Sequence, residues 1–489
     1  MTEPGFTSLL PVLLTLVVAL SARNVLVGLF TGVFVGVAML GNTTLPGFLP
    51  SLVKEHLVPE VADSYNASVL VLLAFIGGFV KLVESSGGGA AFARAATRWV
   101  ASRARAQLGA WFGGIMIFFS DLGTPLIVGP VFQPLTDRLR VSRQKLAFIL
   151  DSTSSPVAIL IPFIGWGVFI MSVIADAFAA NGVAANEYSA FVAAIPFQLY
   201  AWLAIAIVPL VTLLDFDYGP MRDAERAVEP AERVADPAPA PEDGAGRAIL
   251  VWLPLAVLGV SLFAMLGRLG FPFEQVAGAD FRAGLAAAYF LAAVTLVALL
   301  VLLGVRTLTS SFSTYIEGMT GMLPIAATLV LAWALGAVSE ELGTGTYVAA
   351  LAGQGIAGWA LPAVTFGLAA VISFATGSSW GTIIIMMPLA VPSALATDAS
   401  MAVTIGAVLS GGLFGDHSSP VSETTILSSI GAGTTTLQHF STQLPYALTN
   451  GALAIAGFIA AGLTETPWIA LVAVAAQLGL LLVLRARLP

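Results

Sequence analysis

Apolar runs long enough to cross a bilayer recur along this chain, separated by short polar stretches. A helix spanning the hydrocarbon core needs about 20 such residues. The pattern predicts spans at Phe6–Ala22, Asn24–Leu40, Tyr65–Val83, Ala190–Leu214, Ala248–Leu266, Ala283–Val305, Gly321–Val338, Thr442–Leu463 and Trp468–Leu484. Two further segments, Leu146–Ala175 and Met401–Ile430, carry polar residues near their middle and read as broken spans, which makes eleven.

Two apolar stretches resist a single crossing. Leu108–Leu135 is interrupted by SDLGTP at 120–125, and Leu361–Leu395 by ATGSSWG at 375–381. The first is basic on both flanks: Arg94, Arg98, Arg103 and Arg105 precede it, and Arg138, Arg140, Arg143 and Lys145 follow. Lys and Arg accumulate on the cytoplasmic side of membrane proteins. A segment basic at both ends therefore enters and leaves by one face, as a re-entrant hairpin. The rest of the map follows: N-terminus outside, C-terminal RAR at 485–487 inside, and the second hairpin entering from outside.

Composition agrees with the pattern. The 489 residues are 58% hydrophobic and 10% charged, against about 25% charged in soluble domains. Mean hydropathy is +0.93. The 49 glycines suit closely packed membrane helices. Net charge is −8, but residues 215–247 hold nine acids and four arginines and supply −5 of it. That Pro/Ala/acid-rich segment reads as a disordered or extended cytoplasmic linker. No basic domain points to nucleic acid. The absence of cysteine excludes disulfides and thiol chemistry. The first apolar run lacks a basic leader and reads as a retained span.

The halves repeat in order. VESSGGGAAFA (83–93) pairs with SEELGTGTYVA (339–349), and SDLGTPLIVGPV (120–131) with TGSSWGTIIIMMP (376–388). ILDSTSSPVAILI (149–161) pairs with FGDHSSPVSETTI (414–426), and FQLYAWLAIA (197–206) with TQLPYALTNGALAIA (442–456). On the charge map the halves start on opposite sides. The expected fold is thus an all-α polytopic membrane protein with inverted-topology repeats: 1–214 and 248–463, joined by linker 215–247 and followed by an extra span in 464–489. Inverted repeats with paired broken helices place a transport site near the midplane.

A break at Asp151–Pro156 or Asp416–Pro420 frees backbone groups that lipid cannot satisfy. Freed carbonyls, carboxylates and hydroxyls make an all-oxygen shell for a hard cation. Asp121, Asp151, Asp416 and Glu423 all fall at membrane depth, with no obvious Lys or Arg beside them. Charge there is costly, which marks these acids as functional. A carboxylate in that setting is either protonated or holds a cation, the requirement for exchanging cation against proton at one site. The candidate shell comprises Ser152, Thr153, Thr376, Ser378, Ser379, His417, Ser418, Ser419 and Thr424. His417 is a proton relay or simply a polar residue satisfied at the break. Ser428, Ser429 and Thr425 read as hydroxyls bonded back to their own helix. Lys81 and Glu84 read as a local pair or snorkelling groups at a span end.

GDHSSPVSETTILSS (415–429), GAGTTTLQHFSTQLPYAL (431–448), PLTDRLRVSRQKLAFILDSTSSPVAILIP (134–162), FATGSSWGTIIIMMP (374–388) and AWALGAVSEELGTG (332–345) together resemble the NhaC-type sodium/proton antiporter family of the ion transporter superfamily. The likeness runs from about residue 65 to 463. It departs at Ser418, commonly Cys in the family, at Glu423, commonly Asp, and at the first hairpin tip, where SDLGT keeps only Asp121 of a DDYAN-like run. The resemblance implies a plasma-membrane elevator-type exchanger, usually dimeric, carrying Na⁺ and H⁺ with no cofactor. Asp416 and Asp151 are then the expected Na⁺ and proton carriers. Two other functions compete. One is a sodium-coupled organic-acid or amino-acid carrier, against which the lack of Arg in either hairpin tip counts. The other is an intramembrane aspartyl protease pairing Asp151 with Asp416, for which GLFGD at 412–416 has the wrong spacing. His56, His417 and His439 look scattered, without a metalloprotease motif.

Overall fold

The computed structural model describes residues 5–22, 24–41, 45–88, 102–228, 247–270, 276, 278–420 and 422–487. All regular structure among them is helical, as a bilayer requires of a chain with no closed barrel. The first half contains α1 (Leu10–Ala22), α2 (Val25–Leu40), α3 (Ser64–Ser85), α4 (Arg103–Met116), α5 (Gly123–Arg138), α6 (Arg143–Ser152), α7 (Gly165–Ala180) and α8 (Leu199–Leu214). The second contains α9 (Ile249–Leu266), α10 (Gly278–Leu302), α11 (Leu308–Gly321), α12 (Leu323–Glu341), α13 (Thr344–Gly355), α14 (Leu361–Thr376), α15 (Ser379–Thr397), α16 (Met401–His417), α17 (Glu423–Ala432), α18 (Thr436–Thr464) and α19 (Ile469–Arg487). Polar residues before the apolar runs cap the starts: Asp63 accepts from Tyr65 N and Asn66 N, and Thr435 forms a capping box with Gln438.

Seven helices are long and apolar enough to cross a membrane among the described residues. The pair Glu187–Phe197 and Leu199–Leu214, bent by 46°, makes an eighth. The protein is therefore a multi-pass membrane protein, though helix lengths alone do not give the eleven spans read from hydropathy. The expected spans at 6–22 and 24–40 and the broken segments 146–175 and 401–430 form helices short of a full crossing, whereas Ser379–Thr397, in the second interrupted stretch, is long enough to cross.

Each interrupted stretch folds as two helices in contact, α4 with α5 and α14 with α15, and the outer ends of each pair meet. Arg103, at the start of α4, is ion-paired with Glu225. Glu225 also accepts from Ser142 N, at the start of α6, at 2.7 Å. The basic flanks of the first hairpin thus come together, although Arg94 and Arg98 lie outside the described residues. In the second, a Cβ on Gly358 would fall on the backbone of Thr397, so the two ends touch. The hairpin bases sit at opposite ends of α19. Arg103 shares a pocket with Arg485, whereas Trp359 lies against Gly462, just before α19 begins.

The helices fall into two groups. Helices α1, α2, α3 and α9 to α12 pack mainly on one another. The hairpins, the broken helices, α8, α18 and α19 form the other group, with α14 against α16 its most extensive contact. Each hairpin takes the second half of the opposite broken helix: α17 packs on α5, and α7 on α15. Likewise α8 packs on α16 and α18 on α6.

The linker departs from expectation. Its beginning is ordered: Gly219–Arg226 forms a helix, held by Lys145–Asp217 and Arg103–Glu225 ion pairs. Residues 229–246 lie outside the described residues.

Candidate transport site

The first broken helix stops at Ser152, makes one turn at Ser155–Ala158, and resumes only at Gly165. The second runs to His417 and resumes at Glu423, with Ser422 rather than Pro420 at the N-cap. Pro420 lies within the break. Between the two helix groups opens a cavity of about 840 Å³. Both hairpin tips line it, as do Asp416 before the second break, Glu423 and Thr424 beyond it, and α3, α11 and α12 from the other group.

Three of the four expected acids line this cavity: Asp121, Asp416 and Glu423. Asp416 is buried and its Oδ2 accepts from Thr424 Oγ1 at 3.3 Å. Asp121 Oδ2 accepts from Trp166 Nε1 at 2.8 Å and from Ser155 Oγ at 3.4 Å. The Trp166 ring packs on Trp380, centroids 4.8 Å apart. One indole therefore ties the tip of the first hairpin to that of the second. Glu423 is exposed to the cavity.

Asp151 lies elsewhere. It is fully buried and does not line the cavity. Gln443 Nε2 donates to its Oδ2 at 2.6 Å and to the His417 carbonyl at 2.7 Å. His439 Nε2 lies 3.2 Å and His417 Nε2 3.5 Å from the same oxygen. His417 Nδ1 in turn lies 3.0 Å from the Tyr200 hydroxyl. Asp151 Oδ1 has no hydrogen-bond partner among the described residues. The histidines that look scattered in sequence thus converge on one carboxylate; His56 does not join them. Asp151 and Asp416 each have their own hydrogen-bond partners.

The hydroxyls divide. Thr376, Ser378, Ser379 and Thr424 line the cavity. Thr376 also bonds back, to Ile372 O at 2.9 Å; Thr153 and Ser418 bond back to Ile149 O and Phe414 O, at 2.8 and 2.7 Å, without lining the cavity, and Ser152 and Ser419 are buried away from it. Ser429 bonds back to Thr425 O as expected, while the hydroxyls of Thr425 and Ser428 find no partner among the described residues. Lys81 and Glu84, expected as a local pair or as snorkelling groups, form no direct ion pair with each other. Lys81 pairs with Glu317 at 3.1 Å, Glu84 accepts from Ser120 Oγ at 2.6 Å, and all four line the cavity. A lysine therefore shares the cavity lining with three of the acids. A second, Lys145, is fully buried at the start of α6, paired with Asp217.

Paired hairpins and broken helices around a central acidic cavity define a polytopic membrane transporter. A sequence model of the Na⁺/H⁺ antiporter family matches residues 157–463. An uncharacterized protein of Haemophilus influenzae is 32% identical over 480 residues, 94% of this chain and 91% of that one. An uncharacterized Na⁺/H⁺ antiporter of the same organism is 35% identical over 96 residues, 20% of each chain. The chain belongs to the Na⁺/H⁺ antiporter family. Its fold is similar to the YdaH transporter of Alcanivorax borkumensis, with TM-score 0.61, 17% identity, and 94% and 99% of the two chains covered. It is also similar to MtrF of Neisseria gonorrhoeae, described as illuminating a class of antimetabolite efflux pumps, with TM-score 0.56, 16% identity, and 94% and 95% covered.

Proposed function

We propose that the protein is a secondary antiporter of the cell membrane that exchanges Na⁺ for H⁺. The observation that carries this is the separation at the end of α16. Asp416 lines the cavity, while His417, the next residue, turns to Asp151. On this reading Na⁺ enters the cavity and is held at Asp416. Asp121, Glu423 and the hydroxyls of Thr376, Ser378, Ser379 and Thr424 supply further oxygens, as a hard cation prefers. The proton is handled behind it, by Asp151 with His417 and His439, whose ring nitrogens reach the same Asp151 oxygen. The exchanged packing of α17 on α5 and α7 on α15, with hairpin bases at opposite ends of α19, supports inverted repeats over 1–214 and 248–463. The cavity between two helix groups supports an elevator-type movement of one group against the other. The basic flanks support an inside C-terminus and an outside N-terminus, and the resemblance supports a dimer.

The test is Na⁺-driven proton flux in proteoliposomes. Asp416→Asn is expected to abolish exchange, and full exchange in that variant would overturn the assignment of the cation site.

A second reading, a sodium-coupled carrier of an organic acid or amino acid, is favoured by the cavity itself. Its volume of about 840 Å³ falls within the range of about 300–1,000 Å³ typical of small-molecule sites. Lys81 and the Trp166–Trp380 pair offer it a cation and an apolar face. Solute-stimulated Na⁺ uptake decides between the two, and no stimulation by a broad acid panel removes this reading.

A further inference from the structure

A second cavity, of about 370 Å³, opens where α8 and α19 end, and it shares no lining residue with the first. Arginines reach it from three places: Arg103 opens α4, Arg222 and Arg226 lie on the short helix after α8, and Arg485 lies on the last turn of α19. Three acids face them. Asp217 is ion-paired with Lys145 and accepts from the Tyr446 hydroxyl at 2.6 Å. Glu225 is ion-paired with Arg103 and accepts from Ser142 N. Asp215 is the third. Four arginines and three acids thus line the pocket. Just inside the pocket along the same two helices, Leu213, Leu482 and Val483 are exposed, Leu213 by 70%. Arginines thus gather at the level where a lipid-facing apolar surface gives way to water.

We propose that this pocket binds the phosphate-bearing headgroup of an anionic phospholipid, which clamps the segment following α8 between the first hairpin and α19. Arginine forks match phosphate oxygens in pairs, and basic juxtamembrane pockets attract anionic headgroups. The ligand chemistry is shared with free phosphate, but the apolar rim favours a ligand that carries acyl chains.

The experiment uses the full chain in detergent. Thermal stability and native mass spectra are recorded with phosphatidylglycerol, phosphatidylcholine or inorganic phosphate at equal phosphate concentration. Phosphatidylglycerol is expected to raise Tm in a concentration-dependent way and to remain bound in preference to phosphatidylcholine. Arg226→Gln/Arg485→Gln loses both effects, and Lys54→Gln, at a basic site outside the pocket, keeps them. If the double variant is unstable without lipid, the single Arg485→Gln, on an exposed last turn, gives the same reading. Equal stabilisation by phosphatidylcholine, an equal effect of inorganic phosphate alone, or undiminished selectivity in the Arg variants would each overturn the proposal.

Discussion

Asp416 and His417 are consecutive, yet their side chains leave the helix about 100° apart, one into the cavity and one toward Asp151. The proposed exchanger uses that divergence: the two ions act on different residues of the same helix end. It follows that variants on the two sides should fail differently. Thr424 donates to Asp416 and lines the cavity, so Thr424→Val is expected to raise the apparent KM for Na⁺. The loss of one hydrogen bond to a charged group, about 1.5–3 kcal/mol, corresponds to roughly tenfold or more in affinity. His439→Gln is expected to slow turnover about tenfold while leaving that KM within about twofold, because His439 touches Asp151 and not the cavity. Parallel Na⁺ titrations of both variants check this, and a His439→Gln that raises KM without slowing turnover refutes a separate proton locus. Asp121, Asp151, Asp416 and Glu423 were legible because acids at membrane depth stand out against an apolar run. His439 and Gln443 were not. Their spacing of four residues puts them on one face of α18, but that face becomes a site only once α18 lies against α6. The polar run QHFSTQ inside an apolar helix was the available signal.

At the scale of elements, the contacts that hold the broken helices in place depend on small residues. A Cβ on Gly431 of α17 would meet the backbone of Pro125 in α5, and one on Gly129 of α5 would meet Gly431 in return. On α16, Gly411 and Gly415 bring the helix against the backbone of α14, the close approach that small-xxx-small spacing permits. Backbone atoms cannot swing aside as a side chain can. Gly431→Ala is therefore expected to cost about 1–3 kcal/mol in overpacking and to lower both folded yield and transport, since α17 carries Glu423 and Thr424. Gly259→Ala, on α9 with nothing within 4 Å of an added Cβ, serves as the control and should leave both unchanged. Size-exclusion profiles and flux assays of the two variants test the difference. The hairpins and breaks could be read from interrupted hydrophobicity and doubly basic flanks. The order in 215–228 could not, because acids and prolines suggest a loose connector until Lys145 and Arg103 are there to pair with them.

Across the whole molecule, the two hairpin bases lie at opposite ends of α19. The first hairpin's ends meet at Glu225, beside the end of α19. The second hairpin's ends meet beside Gly462, near its start. Nineteen residues of helix separate those two levels, about 28 Å at 1.5 Å per residue, close to the thickness of the hydrocarbon core. The hairpins should therefore open to opposite faces of the membrane, with their tips converging on the cavity between them. The absence of cysteine makes this directly testable by single-cysteine labelling. Cysteines at Arg105 and Arg138, both exposed at the first base, are expected to react with an impermeant maleimide from one side only. Cysteines at Ala357 and Asp398, exposed at the second base, should react only from the other. A cysteine at Ser120 or Ser378, in the tips, should be reached through the cavity, and its labelling should slow when Na⁺ is present if the cavity is the transport path. Labelling of all four base positions from the same face would remove the inverted arrangement, and with it the alternating-access reading built on it.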